Sequence, residues 1–338
     1  MSALEALIRR TIRERGPLDV GAYMQLAMAH PTLGYYATRD PFGREGDFVT
    51  APEISQIFGE LLGAALARRW LDMGSPDPVL LAELGPGRGT LMADARRATR
   101  GVPGFHQAAR LHLVETSRRL RELQAARLGG IPVEWHDSLA TLPEEAPLLL
   151  VANELLDALP VRQFERGLAG WRERLVTLTP GGRLAFATAA GRSPFHATLM
   201  QRHAGAPLGA VAELSPAREA VAAGIARRLA LRGGMALLID YGSARLDGPT
   251  LQAVRGHATA DPLEAPGEAD ISSHVDFGSL AVAAVARGAA AWGPLGQGEL
   301  LLRLGAEARI ARHQDGPQDQ GHAEQRDGAQ PHGETAQE

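Results

Sequence analysis

The chain has 338 residues, of which 45% are hydrophobic and 22% charged, and its formal net charge is -4. This is an ordinary globular composition, and the absence of a basic excess argues against nucleic acid as a partner. The lack of cysteine excludes disulfides, thiolate metal sites and thiol nucleophiles. No apolar run is long enough to span a membrane, so no membrane insertion is predicted.

The N-terminus predicts two helices. Apolar residues recur on one helical face between Leu4 and Ile12, which indicates an amphipathic packing helix. The segment is short of a secretory apolar core and contains acids that transit peptides avoid, so we predict a cytoplasmic protein. A second helix is expected from about Asp19 to just before Pro31.

The stretch "GDFVTAPE" follows a loop marked by glycine and proline and opens a helical stripe that runs to Trp70. Thr50 and Glu53 have the spacing of a capping box, with Pro52 in the first helical turn. Capping is therefore one interpretation of Glu53, and contact with a ligand is the other. Capping leaves Asp47 unexplained.

From residue 79, short apolar runs alternate with helical stretches. The runs are apolar on both faces, which is typical of parallel strands covered by helices. They end at Gly85, Glu115, Asp137, Glu154 and Asp240. Ligands bind at such ends in open α/β sheets.

Domain organisation follows from these patterns. We assign residues 1–75 to an N-terminal helical cap and residues 76–310 to a cofactor-binding domain. Alternation and Gly-Gly punctuation at about 161–190 predict an inserted antiparallel β meander. Residues 311–338 carry no large apolar side chain and are predicted to be a disordered polar tail. The tail histidines are widely spaced, and no metal site is predicted.

The segment "LAELGPGRGT" carries Gly85, Gly87 and Gly89 directly after the first predicted strand. A dinucleotide fingerprint has its third glycine where this chain has Thr90, so oxidoreduction is the weakest functional alternative. A tight turn without a ligand is another interpretation. Glu83 lies inside the otherwise apolar strand, where an acid needs a partner.

Acids also follow the next two predicted strands. Glu115 is placed to accept hydrogen bonds from both ribose hydroxyls of an adenosine cofactor, and Asp137 to reach the adenine amino group. Each could instead be a helix N-cap. Together with Glu83 and the glycine loop, they resemble the S-adenosylmethionine pocket of class I methyltransferases.

Over most of its length, from Leu4 to Arg309, the chain resembles the MidA-like methyltransferases. The matching segments include "HPTLGYY", "GDFVTAPEISQIFGELLG", "ELGPGRGTLMAD", "NELLDALPVRQF", "IDYG", "SHVDFGSL" and "GPLGQGELLLRLG". The resemblance implies an α/β, Rossmann-like class I methyltransferase fold that binds S-adenosyl-L-methionine. It also implies an arginine-bearing protein substrate, such as a respiratory complex I subunit, and symmetric dimethylarginine as the product. A homodimer is a further possibility.

The resemblance fails at the C-terminus. Members of the family usually end with a further helix and an apolar strand, which the polar tail replaces here. A missing final strand would leave one edge of the sheet open.

The candidate catalytic residues are Asn153, Glu154 and Asp157 in "NELLDALP", after the fourth predicted strand. A guanidinium stays protonated, and carboxylates that hold it would orient one nitrogen for methyl transfer. A capped helix start is the alternative interpretation. By resemblance, His274 and Asp276 belong at the substrate mouth, where a histidine could accept the released proton.

By the same resemblance, Asp47 and Phe48 face the cofactor or the incoming arginine, and Glu53 is retained as a candidate ligand. Two other functions stay open. One is methyl transfer to another protein nitrogen or to a small molecule. The other is an assembly factor that keeps the fold without turnover.

Overall fold

The computed structural model describes residues 1–39 and 50–315. Its N-terminal elements are α1 (Ala3–Arg15), β1 (Leu18–Asp19), α2 (Val20–Ala29), α3 (Tyr35–Thr38), α4 (Ala51–Ile54) and α5 (Gln56–Asp72). The second predicted helix is confirmed, and the Asp19 carboxylate caps it by accepting from the Ala22 N–H at 2.8 Å. The helix predicted from Thr50 is two helices, because Ser55 is extended and caps α5.

The central part begins the parallel sheet. Its elements are β2 (Val79–Leu84), α6 (Thr90–Ala98), α7 (Phe105–Ala108), β3 (Ala109–Val114), α8 (Arg118–Arg127), β4 (Val133–His136), a 3₁₀ turn (Leu139–Thr141) and β5 (Leu148–Asn153). Each strand ends one residue before the polar residue or glycine predicted to follow it.

The antiparallel insertion consists of β6 (Arg162–Gly167), β7 (Gly170–Leu178), β8 (Leu184–Thr188), α9 (His196–Arg202) and β9 (Val211–Leu214). The predicted meander is confirmed, because β6 pairs with β7 and β7 with β8. It is larger than predicted, since β9 pairs with β6 and the N-terminal β1 pairs with β7. The inserted sheet therefore extends beyond residue 190.

The C-terminal part contains α10 (Pro216–Arg232), β10 (Gly234–Ile239), β11 (Gly242–Ser243), β12 (Gln252–Arg255), β13 (Ala258–Ala260), β14 (Asp270–Ser272), β15 (Val275–Asp276), α11 (Phe277–Val285), α12 (Gln297–Arg303) and α13 (Ala306–Asp315). Strand β10 completes a parallel sheet in the order β10-β5-β2-β3-β4. Over the described residues, no strand pairs with the outer edge of β10.

Helix α13 runs past the predicted start of the tail at residue 311. Its Arg309 guanidinium donates to the buried carboxylate of Glu60 on α5 at 2.7 Å. This ion pair anchors the helix to the body of the protein, so residue 311 does not mark the end of ordered secondary structure.

Helices cover both faces of the parallel sheet. On one face, Leu62 and Leu66 of α5 pack with Leu81 and Leu113 of the sheet. On the other face, Ile225 of α10 packs in a cluster with strands β2 and β5. Helix α5 is therefore part of a covering layer, and the predicted boundary at residue 75 wrongly places it in the N-terminal cap.

A second core joins α1 and α2 to the antiparallel strands. Ile8, Tyr23 and Met24 cluster with Val176 of β7 and Ile271 of β14. The N-terminal helices are thus fixed to the insertion. None of the helices in the described ranges is both long and apolar enough to cross a membrane.

Candidate active site

The glycine loop connects β2 to α6 at the carboxyl edge of the sheet. Gly85, Gly87 and Gly89 have φ angles of 63°, 52° and 78°, a region that side chains with a Cβ rarely adopt. The Gly85 N–H donates to the Val114 carbonyl at 3.0 Å, which ties the loop to β3. Gly89 is the N-cap of α6 and has no side chain, so the first N–H groups of the helix are left for a ligand acceptor.

Glu83 is the buried acid next to this loop. It is 3% exposed, and burial raises its pKa to about 8. Its Oε2 has no hydrogen-bond partner within the described residues. Such an unpaired buried carboxyl oxygen is costly, so the position fits a group that a ligand supplies, for example a cationic amine.

Glu115 follows β3 and is buried. Its carboxylate accepts from the Ser117 N–H at 2.7 Å and faces the Gln124 amide at 3.4 Å. Burial raises the pKa of Glu115, and these hydrogen bonds oppose the increase. Ser117 caps α8, so the interpretation of Glu115 as the N-cap is wrong.

Asp137 follows β4, and its side chain is 83% exposed. It pairs at 2.6 Å with Arg121, whose guanidinium also donates to the main-chain oxygen of Glu115. Ser138, rather than Asp137, precedes the 3₁₀ turn as its N-cap residue. Arg121 therefore connects the ends of β3 and β4, where the two predicted adenosyl contacts lie.

Gln124 is a functional candidate that the sequence analysis missed. Its buried amide donates to the Gly87 carbonyl at 2.7 Å and accepts from the Trp135 indole at 2.9 Å. One side chain thus links the glycine loop to β4. The available signal was its spacing, because Gln124 occupies the apolar stripe of α8 between Leu120 and Leu128.

Glu154 follows β5 with φ of 48°, a left-handed value that is uncommon outside glycine. Its carboxylate accepts from the side-chain amide of Asn153 at 3.3 Å, and the main chain of Ala51 at the start of α4 is among the causes that lower its pKa. Burial is the main cause that raises its pKa. The segment from Glu154 to Pro160 is a turn, so the interpretation as a capped helix start is wrong.

Asp240, directly after β10, lies beside Asp157. Its carboxylate accepts from the N–H groups of Leu156 at 2.7 Å, Asp157 at 3.2 Å and Tyr241 at 2.9 Å. Burial, followed by the negative charge of Asp157, raises the pKa of Asp240 to about 7. Burial also raises the pKa of Asp157. The sequence analysis marked Asp240 only as a strand end, without assigning it a role.

Tyr241 follows Asp240 and is 60% exposed. The negative charge of Glu154 is the main cause that raises the pKa of its phenol. We call Glu154, Asp157, Asp240 and Tyr241 the acidic cluster. It concentrates negative charge beside the end of β5.

Arg218 is a buried cation next to the acidic cluster. Its guanidinium donates to the main-chain oxygens of Asp157, Leu159, Ser273 and His274 and to the Ser273 hydroxyl, at 2.6 to 3.2 Å. Each of these acceptors is an uncharged oxygen. Arg218 therefore joins the two chain segments that carry Asp157 and His274.

The side chains of His274 and Asp276 have different surroundings. His274 is exposed, and its charge is among the causes that lower the pKa of Asp157. Asp276 caps α11 by accepting from the Ser279 N–H at 3.0 Å and the Ser279 hydroxyl at 2.6 Å. His274 therefore lies close to the acidic cluster, whereas Asp276 serves as the N-cap of α11.

Glu53 reaches the glycine loop. Thr50 is the N-cap residue of α4 and Pro52 lies in the first turn, as predicted, but the Thr50 side chain makes no capping bond. The Glu53 carboxylate instead accepts from the Thr90 hydroxyl at 2.5 Å, next to Gly89. The predicted contacts of Asp47 and Phe48 lie outside the described residues.

Comparison with known proteins decides the family. Residues 61–295 match a family model described as "Putative S-adenosyl-L-methionine-dependent methyltransferase". The chain belongs to this methyltransferase family. Solved structures agree: a COG1565 superfamily member from Burkholderia thailandensis, bound to S-adenosyl-homocysteine, superposes with a TM-score of 0.79 at 30% identity. The superposition covers 92% of this chain and 82% of the other.

Three similar proteins are named as arginine methyltransferases, in agreement with this family. The protein arginine methyltransferase NDUFAF7 of Mus musculus is 36% identical over 88% of this chain and 73% of its own length. Its Drosophila melanogaster homologue is 36% identical over 91% of this chain and 76% of its own length. The Homo sapiens protein is 34% identical over 88% of this chain and 72% of its own length. This methyltransferase therefore uses S-adenosyl-L-methionine, and the predicted Rossmann-like fold is confirmed.

The predicted cytoplasmic location is contradicted. All three of these relatives are named as mitochondrial proteins. The prediction relied on the sequence features of the N-terminal segment, which forms α1 and packs into the second core. Packing requirements determine that segment's composition, so it carries no information on location.

Proposed function

We propose that this methyltransferase transfers methyl groups to an arginine side chain of a protein. The acidic cluster carries the proposal, because its carboxyl groups are half-buried near one another and their pKa values are raised. A guanidinium entering the cluster would relieve this unfavourable charge, and its planar donors suit two carboxylates at once. The names of the mouse, fly and human relatives support the same acceptor.

The proposed roles follow from position. Glu83, the glycine loop and Glu115 would hold S-adenosyl-L-methionine, which supplies an electrophilic methyl group when bound. Glu154 and Asp157 would hold the guanidinium and localise its charge away from the reacting nitrogen. That nitrogen must lose a proton, and His274 lies on the exposed side where it could accept one.

Family resemblance extends the proposal. We propose symmetric dimethylarginine as the product and a subunit of respiratory complex I as the protein that carries the arginine. A homodimer is proposed as the active form. Asp137 is proposed to contact the adenine once Arg121 adjusts, and Asp47 to contact the cofactor or the substrate.

Isotope labelling tests the acceptor. The purified enzyme is incubated with methyl-labelled S-adenosylmethionine and a lysate from cells that lack it, and the proteins are hydrolysed to amino acids. We expect label in dimethylarginine, with the symmetric isomer separated by chromatography. Label found only on lysine, nucleic acid or small molecules would overturn the arginine proposal. Cofactor binding without any methyl transfer would support the alternative that the protein is an assembly factor without turnover.

A further inference from the structure

A group of metal-binding side chains lies away from the acidic cluster, on strands β3 and β4. His112 is paired in register with Glu134, and His136 is two residues further along β4. Paired residues of parallel strands, and residues two apart in one strand, project from the same face. The three side chains therefore share one face of the sheet.

Their donor atoms are close enough for a shared ion. The His112 Nδ1 lies 3.0 Å from the His136 Nε2 and 3.8 Å from a Glu134 carboxylate oxygen. The three ligand atoms all lie within 4.8 Å of one another. Tetrahedral zinc with bonds of about 2.0–2.1 Å needs ring nitrogens roughly 3.3 Å apart, so the rings need to separate only slightly.

Hydrogen bonds to Thr141 fix the tautomer of the His136 ring. The His136 Nδ1 lies 3.2 Å from the Thr141 hydroxyl oxygen, and that hydroxyl donates its own hydrogen to the Ser138 carbonyl. The hydroxyl oxygen must therefore accept from His136 Nδ1, which leaves a lone pair on Nε2 facing His112. Fixing a ligand's tautomer by a hydrogen bond to its second nitrogen is typical of metal-binding histidines.

His112 is buried but poorly satisfied. It is 1% exposed, and its Nε2 has no hydrogen-bond partner within the described residues. The polar contacts of the ring are therefore all at Nδ1, the atom that faces His136 and Glu134. Glu134 is exposed, so the fourth position of a tetrahedral site would face solvent.

We propose that His112, Glu134 and His136 bind one divalent transition-metal ion of the zinc class. Two imidazoles and one carboxylate favour zinc over magnesium or calcium, which prefer oxygen ligands. The ion would join β3 to β4 just before Glu115 and Asp137. The sequence analysis predicted no metal site, since the ligands are separated along the chain and meet only through strand pairing.

Titration tests the site. Full-length, untagged protein is stripped with a chelator and titrated with Zn²⁺ by calorimetry and with Co²⁺ by visible absorption. We expect one tight equivalent with tetrahedral cobalt bands. Glu134→Gln and His136→Gln should each weaken binding at least tenfold. Thr141→Val should weaken it by about tenfold, because it removes the hydroxyl that accepts from His136 Nδ1. Circular dichroism and S-adenosyl-homocysteine binding check that each variant is folded.

Two controls separate this site from other histidines. His106→Gln, outside the group, and the combined tail variant His313→Gln, His322→Gln and His332→Gln should retain the tight equivalent. The proposal is overturned if neither ion binds, if binding is unchanged in His136→Gln, or if the tail variant abolishes it.

Discussion

The Asp240 carboxylate accepts hydrogen bonds from the main-chain N–H of Asp157 and from that of the preceding residue, Leu156. Asp240 directly follows β10 and Asp157 lies in the turn after β5, so this contact ties together the ends of two neighbouring parallel strands. It also places two carboxyl groups side by side. Burial, and then repulsion by Asp157, raises the pKa of Asp240 to about 7.

Methyl transfer should therefore depend on pH near 7. Because the pKa of Asp240 is raised, the carboxyl is neutral below about pH 7 and loses both negative charge and acceptor strength. We expect the transfer rate to fall as the pH drops through this range. Asp240→Asn imitates the neutral form, so it should be slow and lack this titration step. Asp247→Asn, an exposed control, should keep the wild-type pH profile, and an unchanged profile in Asp240→Asn would contradict the assignment.

Glu154→Gln should separate binding from transfer. The variant keeps the shape of the side chain and removes the charge that is proposed to hold the guanidinium, so we expect transfer to fall about 100-fold or more. S-Adenosyl-homocysteine affinity should stay within roughly threefold of wild type. Calorimetry and a labelled-methyl assay measure the two effects. Glu122→Gln on the exposed face of α8 is the matched control, and full activity of Glu154→Gln would remove Glu154 from the mechanism.

Glu83→Gln should stabilise the unliganded protein at alkaline pH. The folded state holds a proton on Glu83 up to about pH 8, whereas the unfolded chain releases it near its ordinary pKa of 4.5. The native state thus binds more protons in this interval, and wild-type stability falls as the pH rises from about 4.5 to 8. Urea unfolding at pH 5 and pH 8 should show the stability gain of Glu83→Gln growing with pH. Cofactor affinity should decrease in the same variant. A difference in unfolding free energy between wild type and Glu83→Gln that does not change with pH would contradict this account.

Gln124→Ala should weaken the cofactor pocket through the glycine loop. The substitution leaves the Gly87 carbonyl and the Trp135 indole without their partner, which costs about 1–3 kcal/mol for each buried group. We expect a lower melting temperature and S-adenosyl-homocysteine binding weakened by about tenfold. Gln107→Ala, at an exposed position of α7, provides the control. Equal effects at the two positions would show that Gln124 has no special role.

The sequence predicted the parallel strands and the residues that follow them. Runs apolar on both faces occur where helices cover a sheet from both sides, so β2 and β5 were identifiable from hydropathy alone. The glycine loop was readable because its backbone angles exclude side chains at fixed positions.

Other parts of the site depend on contacts between distant segments. Gln124, Arg218 and Asp240 each have a partner that lies 37 to 84 residues away along the chain. The only local signal was the position of Gln124 in the apolar stripe of α8, and it did not show which partners the side chain would have. Asp276 shows the opposite case, because a local helix cap accounts for a residue that family resemblance placed at the substrate mouth.

The left-handed backbone at Glu154 has an evolutionary consequence. A non-glycine residue in this conformation costs about 1–3 kcal/mol, more than the roughly 0.5–1 kcal/mol that glycine costs elsewhere through chain entropy. A laboratory selection for heat resistance alone should therefore enrich Glu154→Gly, and the survivors should be catalytically dead. Persistence of the glutamate in a population implies that methylation itself, rather than durability of the fold, is under selection.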